Sequence, residues 1–199
     1  MTVRGIVAVV AAVHIAGATA REALAQSAQP FSVQASLLAA SQKIGKSAIS
    51  GFGFEGQLRY TPLSLWSLGV GVQYSAHSSG DESIDITGVF LEPRYAVDIG
   101  SDRFAPYLAG RLAFLRESAT LFQDPQSPTV LLEVSSNGSA FGAGAGLLIR
   151  GSARVNIDIG AAFVSQSFGD ASSQGTTFTF ARFTGYVAKA GVSIGFGSR

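Results

Sequence analysis

Arg154-Val-Asn-Ile-Asp-Ile-Gly-Ala-Ala-Phe163 decides how this chain folds. Val155, Ile157, Ile159, Ala161 and Phe163 take every second position, with Arg154, Asn156, Asp158, Gly160 and Ala162 between them. Successive side chains of a strand point to opposite faces, so the stretch predicts a strand with one apolar face and one small or polar face. The same period governs Trp66, Leu68, Val70, Val72 and Tyr74, which interleave with Ser67, Gly69, Gly71, Gln73 and Ser75. It returns in Tyr186, Ala188, Ala190, Val192, Ile194 and Phe196. No helical stripe fits these segments.

Extending the period in both directions gives eight strands, near 31–40, 48–60, 63–76, 84–97, 103–116, 139–150, 153–166 and 177–197. Three connections are short: Thr61-Pro62, Asp98 to Asp102, and Gly151-Ser152. The others, 41–47, 77–83, 117–138 and 167–175, are longer. Short turns on one rim and long loops on the other are the pattern of an outer-membrane barrel. The expected fold is all-β: an eight-stranded, antiparallel, up-and-down transmembrane barrel.

The aromatic residues give a further sign. With odd strands running outward, Phe31, Tyr60, Trp66, Tyr95, Phe104 and Phe196 fall at the periplasmic ends. Phe52, Tyr74, Phe114, Phe141, Phe163 and Tyr186 fall at the outer ends. Trp66 and Tyr74, or Phe104 and Phe114, are then separated by roughly 20–25 Å across the membrane, close to the ~25 Å apolar band of such barrels. The segments Ala105-Pro-Tyr-Leu-Ala-Gly110, Phe141-Gly-Ala-Gly-Ala-Gly146 and Gly191-Val-Ser-Ile-Gly-Phe196 complete the pattern. Over about residues 28–197 the chain resembles the small eight-stranded outer-membrane barrels typified by OmpX and the membrane domain of OmpA. That resemblance implies recognition by the barrel-assembly machinery during biogenesis, contact with outer-membrane lipid and lipopolysaccharide, and a monomer.

Composition agrees with an exported membrane protein. Charged residues make up 14% of the 199, against roughly 25% in soluble domains. Residues 1–25 read as a signal peptide: Arg4 precedes an apolar run from Ile6 to Ala20, and Ala23-Leu-Ala25 is a small-x-small cleavage site. The expected mature domain is 26–199. Removing Arg4, Arg21 and Glu22 from 14 basic and 13 acidic residues leaves 12 of each, so nothing steers the chain toward nucleic acid. With no cysteine and, after cleavage, a single histidine, thiol chemistry is excluded and neither a metal site nor a cofactor is expected.

Carried inward, the period places Glu55, Gln57, Arg59, Glu92, Arg94, Arg111, Arg150, Arg154, Asp158 and Lys189 in the lumen. Eight strands leave room only for side chains, and buried charge must be paired. One or two ion-pair clusters are therefore expected to plug the interior, with a narrow solute pore as the alternative. Phe90, Leu115 and Leu148 also acquire inward parity, and Pro93 removes a ladder hydrogen bond; a bulge would return them to lipid.

Two segments offer other chemistry. Gly51-Phe-Gly-Phe-Glu-Gly56 matches a dinucleotide glycine pattern, but no helix N-terminus follows to receive a phosphate. His77, Ser78 and Ser79, expected at the loop tip after the third strand, carry the residue types of an acyl hydrolase or transferase acting on lipid A. The commoner meaning of such a segment is a polar turn. The apolar run 129–134 in the longest loop is expected to extend a strand outward or leave an open edge for an extracellular protein partner. The function expected is a non-enzymatic surface barrel with an envelope-structural or adhesive role, and the alternative is a lipid-modifying enzyme built on His77. A soluble barrel with its apolar face inside is the competing fold.

Overall fold

The computed structural model describes residues 29–44, 47–79, 82–122, 131–173, 176–178 and 182–197. The expected signal peptide lies outside them. Ten strands form: β1 (Phe31–Ile44), β2 (Ser47–Tyr60), β3 (Trp66–Ser79), β4 (Glu82–Ala96), β5 (Phe104–Phe122), β6 (Leu131–Arg150), β7 (Val155–Phe168), β8 (Ala171–Ser173), β9 (Thr176–Phe178) and β10 (Phe183–Phe196). β1 to β7 and β10 close into an antiparallel barrel, while β8 and β9 make a separate two-stranded hairpin. Closure is set by Phe31 opposite Phe196 on β10, with Phe31 also opposite Tyr60 on β2.

The apolar set faces out. Val70, Ile157 and Val192 are 55%, 44% and 46% exposed, whereas Arg94 and Asp158 are 2% and 0% exposed. A soluble barrel wrapped around a ligand would show the reverse. The aromatic ends meet in pairs on the same surface: Phe31 stacks on Tyr60 at 5.1 Å, and Trp66 tilts against Tyr95 at 5.0 Å. At the outer rim Phe163 meets Tyr186 edge-on at 5.5 Å.

Periplasmic turns are built from short side chains that accept backbone hydrogen bonds. Asp98 Oδ1 accepts from the Gly100 amide at 2.9 Å, and Gly100 sits at φ +69°. Ser152 Oγ accepts from the Val155 amide at 3.1 Å and starts β7. Outer strand ends differ from the sequence reading. β5 and β6 stay paired from Phe104 opposite Ile149 to Phe122 opposite Leu131. Much of the expected loop 117–138 is therefore strand. The last barrel strand begins at Phe183 rather than near 177, with β8 and β9 occupying part of the interval.

No bulge returns Phe90, Leu115 or Leu148 to the lipid side. The β4–β5 register is the same at Leu91 opposite Leu112 as at Arg94 opposite Ala109, so Pro93 interrupts the pairing without shifting it. All three side chains are buried inside.

Candidate functional site: lumen and outer mouth

The lumen has two halves. In the periplasmic half, four cations surround three carboxylates. Glu92 on β4 is the hub. Its Oε1 accepts from Arg59 Nη2 and Arg94 Nε, each at 2.8 Å, and its Oε2 accepts from Arg111 Nε at 3.0 Å and Lys189 Nζ at 3.1 Å. Glu55 lies 2.7 Å from Arg111 and 3.5 Å from Lys189. Asp158 pairs with Arg94 at 2.8 Å and accepts from Gln34 and from the Tyr107 hydroxyl, both at 2.6 Å.

Each of these side chains reaches the centre because strand alternation turns it inward, and the residues beside Tyr107 are small enough to admit it. A Cβ on Gly160 would come within 2.6 Å of the Tyr107 hydroxyl. Arg150 closes β6 at the periplasmic end, its amide donating to the Arg103 carbonyl at 2.8 Å. Arg154 stands exposed in the turn before β7. The Glu55–Glu92–Asp158 network draws its cations from Arg59, Arg94, Arg111 and Lys189 rather than from these two. Arg154, exposed at the strand end, is left to water.

The outer half is apolar. Ile86, Phe90, Ala113, Leu115, Ala140, Val164, Phe168 and Phe183 form one cluster, and Ala105, Tyr107 and Leu148 a second near the periplasmic end. The Arg111 guanidinium lies 4.0 Å over the Phe90 ring and joins the halves. Beside the ion-pair cluster, then, a second filling of oil occupies the lumen nearer the loops. Beside Glu92, Tyr107, Arg111 and Lys189 the free space is a cavity of ≈ 30 Å³, enough for about one or two waters.

Above the apolar cluster comes a buried polar layer. His77 does not stand on a loop tip. It lies within β3, 2% exposed, with Nε2 3.1 Å from Ser75 Oγ and 3.4 Å from Gln42 Nε2. Ser78 is on the opposite, exposed face, as strand alternation requires. Ser79 ends the strand, and Gly80 and Asp81 lie outside the described residues. His77 and Ser78 are thus on opposite faces, and the serine that meets His77 is Ser75. His77 sits three residues past Tyr74, beyond the outer aromatic belt, and burial pushes its imidazole below the usual value.

Sequence reasoning missed Glu117. It is 1% exposed, its Oε2 has no hydrogen-bond partner, and it follows Ala113 and Leu115 on the inner face of β5. It also lies three residues past the belt, at Phe114, and burial raises its carboxyl to about 7. Continuing the β5 period two more residues would have found it.

No family model and no curated protein matches the sequence. Solved structures do. Neisserial surface protein A (NspA) superposes with a TM-score of 0.63 at 19% identity, covering 84% of this chain and 97% of that one. Ail, the attachment invasion locus protein of Yersinia pestis, superposes with a TM-score of 0.51 at 14% identity, covering 82% and 97%. Ail has also been solved with the heparin analogue sucrose octasulfate, a match at TM-score 0.51 and 13% identity. Identities this low speak for fold, and they agree with the girdles, the closed register and the outward-facing apolar band. The chain is an eight-stranded β-barrel of the outer-membrane type.

Proposed function

We propose that the protein is a non-enzymatic outer-membrane barrel that works at its outer face, as an attachment or contact surface, with the lumen serving as a structural plug. The observation that carries this reading is the β5–β6 hairpin. It continues as paired strand for eight residues beyond Phe114, to Phe122. On its other side β6 pairs with β7 only from Gly138 opposite Phe168 inward, so among the described residues no barrel strand pairs with 131–137 there. At its inner end this edge is already used, the Asn137 carbonyl accepting from the Gly169 amide at 3.0 Å; the extended backbone beyond it offers donors and acceptors to a partner strand. The filled lumen argues against a solute pathway, and the burial of the His77–Ser75 pair, 2% and 7% exposed, away from any lipid ester argues against acyl transfer. Ail, the attachment invasion locus protein, points the same way.

The test is to display the protein on a non-adherent laboratory strain and measure cell retention on immobilised extracellular-matrix protein and on heparin. A variant in which a short turn replaces residues 118–135 should lose retention while keeping the heat-dependent gel shift of a folded barrel. Equal retention by both forms would refute the contact role. Reproducible unit conductance in planar bilayers would refute the plug.

A further inference from the structure

The outer surface of the barrel is not uniform around its circumference. Across β3 to β6, facing outward, lies an apolar groove of ≈ 400 Å³ whose walls include Val89, Leu91, Leu112, Phe114 and Phe141. That volume is within the range of ligand-binding clefts, about 300–1,000 Å³. The registers order what surrounds it. Leu91, Leu112 and Phe141 form one row, and Val89, Phe114 and Ser139 the next row toward the loops. Thr87, Arg116 and Asn137 form the row above that. The groove is therefore oil at its floor and polar at its upper end, with one guanidinium directly over Phe114.

Arg116 is exposed and donates to Ser135 Oγ at 3.2 Å. Among the described residues it enters no ion pair. The carboxylate nearest in register on the same face is Asp85, opposite Ser118, and it accepts from the Tyr74 hydroxyl at 3.1 Å. The cation thus stands on the lipid-facing side, two residues along β5 from Phe114 and the upper end of the trough, with Ser135 as its one hydrogen-bond partner among the described residues. Guanidinium and phosphate are complementary in charge and in the spacing of donors and acceptors.

We propose that this groove and Arg116 form a seat for a phosphorylated lipid of the outer leaflet, one acyl chain lying on Leu91 and Leu112 and the phosphate against Arg116. The assignment to the outer leaflet rests on the outer-membrane reading above. The chain fills a depression that straight lipid tails would otherwise leave poorly packed, and the phosphate neutralises the cation at the depth where headgroups lie.

The test uses bisphosphorylated lipid A as the probe, with dephosphorylated lipid A and phosphatidylcholine as comparisons. Purified barrel is loaded with each in detergent, and retained lipid is counted by native mass spectrometry. Arg116→Gln should lower retention of lipid A about tenfold, as expected for losing a charge-assisted contact, and leave the dephosphorylated form unchanged. Leu112→Trp, which fills the trough, should lower retention of both, and Val89→Phe should do the same should L112W not fold. Lys43→Gln, a change to an exposed cation on β1, should alter nothing. Wild-type retention by R116Q, or by a folded groove-filling variant, would overturn the assignment. A wild-type chain recovered soluble, without a heat-dependent gel shift, would instead overturn the outer-membrane reading.

Discussion

The two halves of the lumen solve the same packing problem with opposite chemistry. Near the periplasm, Glu55, Glu92 and Asp158 hold four cations in one network. Nearer the loops, Phe90, Leu115, Phe168 and Phe183 pack as an ordinary hydrophobic core. The ionic half is coupled, because removing one carboxylate strands several charges away from water. The apolar half is local, because each side chain gives up only its own contacts and the space it leaves. Evenly distributed side-chain volume would plug the barrel equally well; the difference lies in how damage spreads.

Glu92→Gln should be the most damaging change. It leaves Arg59, Arg94, Arg111 and Lys189 sharing two carboxylates, at a cost of about 3–5 kcal/mol. Denaturant unfolding in lipid vesicles, followed by Trp66, the single tryptophan, measures it. Leu115→Ala in the apolar half should cost roughly 2–4 kcal/mol. Paired with a second truncation in the same cluster, such as Ile86→Ala, it should depart from additivity by no more than about 1 kcal/mol. Two truncations in the ionic half, Glu92→Gln with Arg111→Gln, should depart strongly from additivity. Equal additivity in both halves would erase the contrast.

Glu117 sharpens the comparison at the outer mouth, where, among the described residues, a carboxyl is buried without a cation. Its folded-state value, raised to about 7, exceeds the ordinary carboxylate value of 4.5. The folded state therefore binds this proton more tightly than the unfolded state. Its favourable contribution is complete below pH 4.5, declines as pH rises from 4.5 to 7, and is absent above. Glu117→Gln should flatten that part of the stability profile and raise stability at pH 8 by something of the order of 2 kcal/mol. An unchanged profile would show that the carboxyl finds water or a partner.

A smaller effect concerns Gly71, where an added Cβ would come within 2.6 Å of the Phe90 ring, and Gly56, where it would meet nothing within 4 Å. Gly71→Ala should cost about 1–2 kcal/mol by overpacking, and Gly56→Ala under about 0.5 kcal/mol. Matched unfolding curves for the two variants decide it.

The alternation was legible wherever lipid touches the barrel, since only there do the faces differ in chemistry. Val155 to Phe163 and Trp66 to Tyr74 could be read without coordinates for that reason. Beyond the outer belt the contrast vanishes: Ser135, Ser136 and Asn137 are polar on both faces, yet they lie in β6. Strand ends there consequently look like loop in the sequence, and the positions of His77 and Glu117 are lost with them. The lumen charges of β2, β4, β5, β7 and β10 followed from parity, but their joining into one network depends on inter-strand stagger that no single strand encodes. The apolar cluster shows in the sequence as Phe90 and Leu115 at inward positions, which parity alone does not distinguish from a bulge that returns them to lipid.

The central claim is that oil coats the outside of this cylinder and side chains fill its middle. It is tested most directly by moving the single tryptophan. On a Trp66→Phe background, Val70→Trp and Phe90→Trp are reconstituted into vesicles of brominated phosphatidylcholine, where quenching requires contact with acyl chains. Strong quenching at position 70 with little at position 90 is the predicted result. Strong quenching at 90 with little at 70 would contradict the claim.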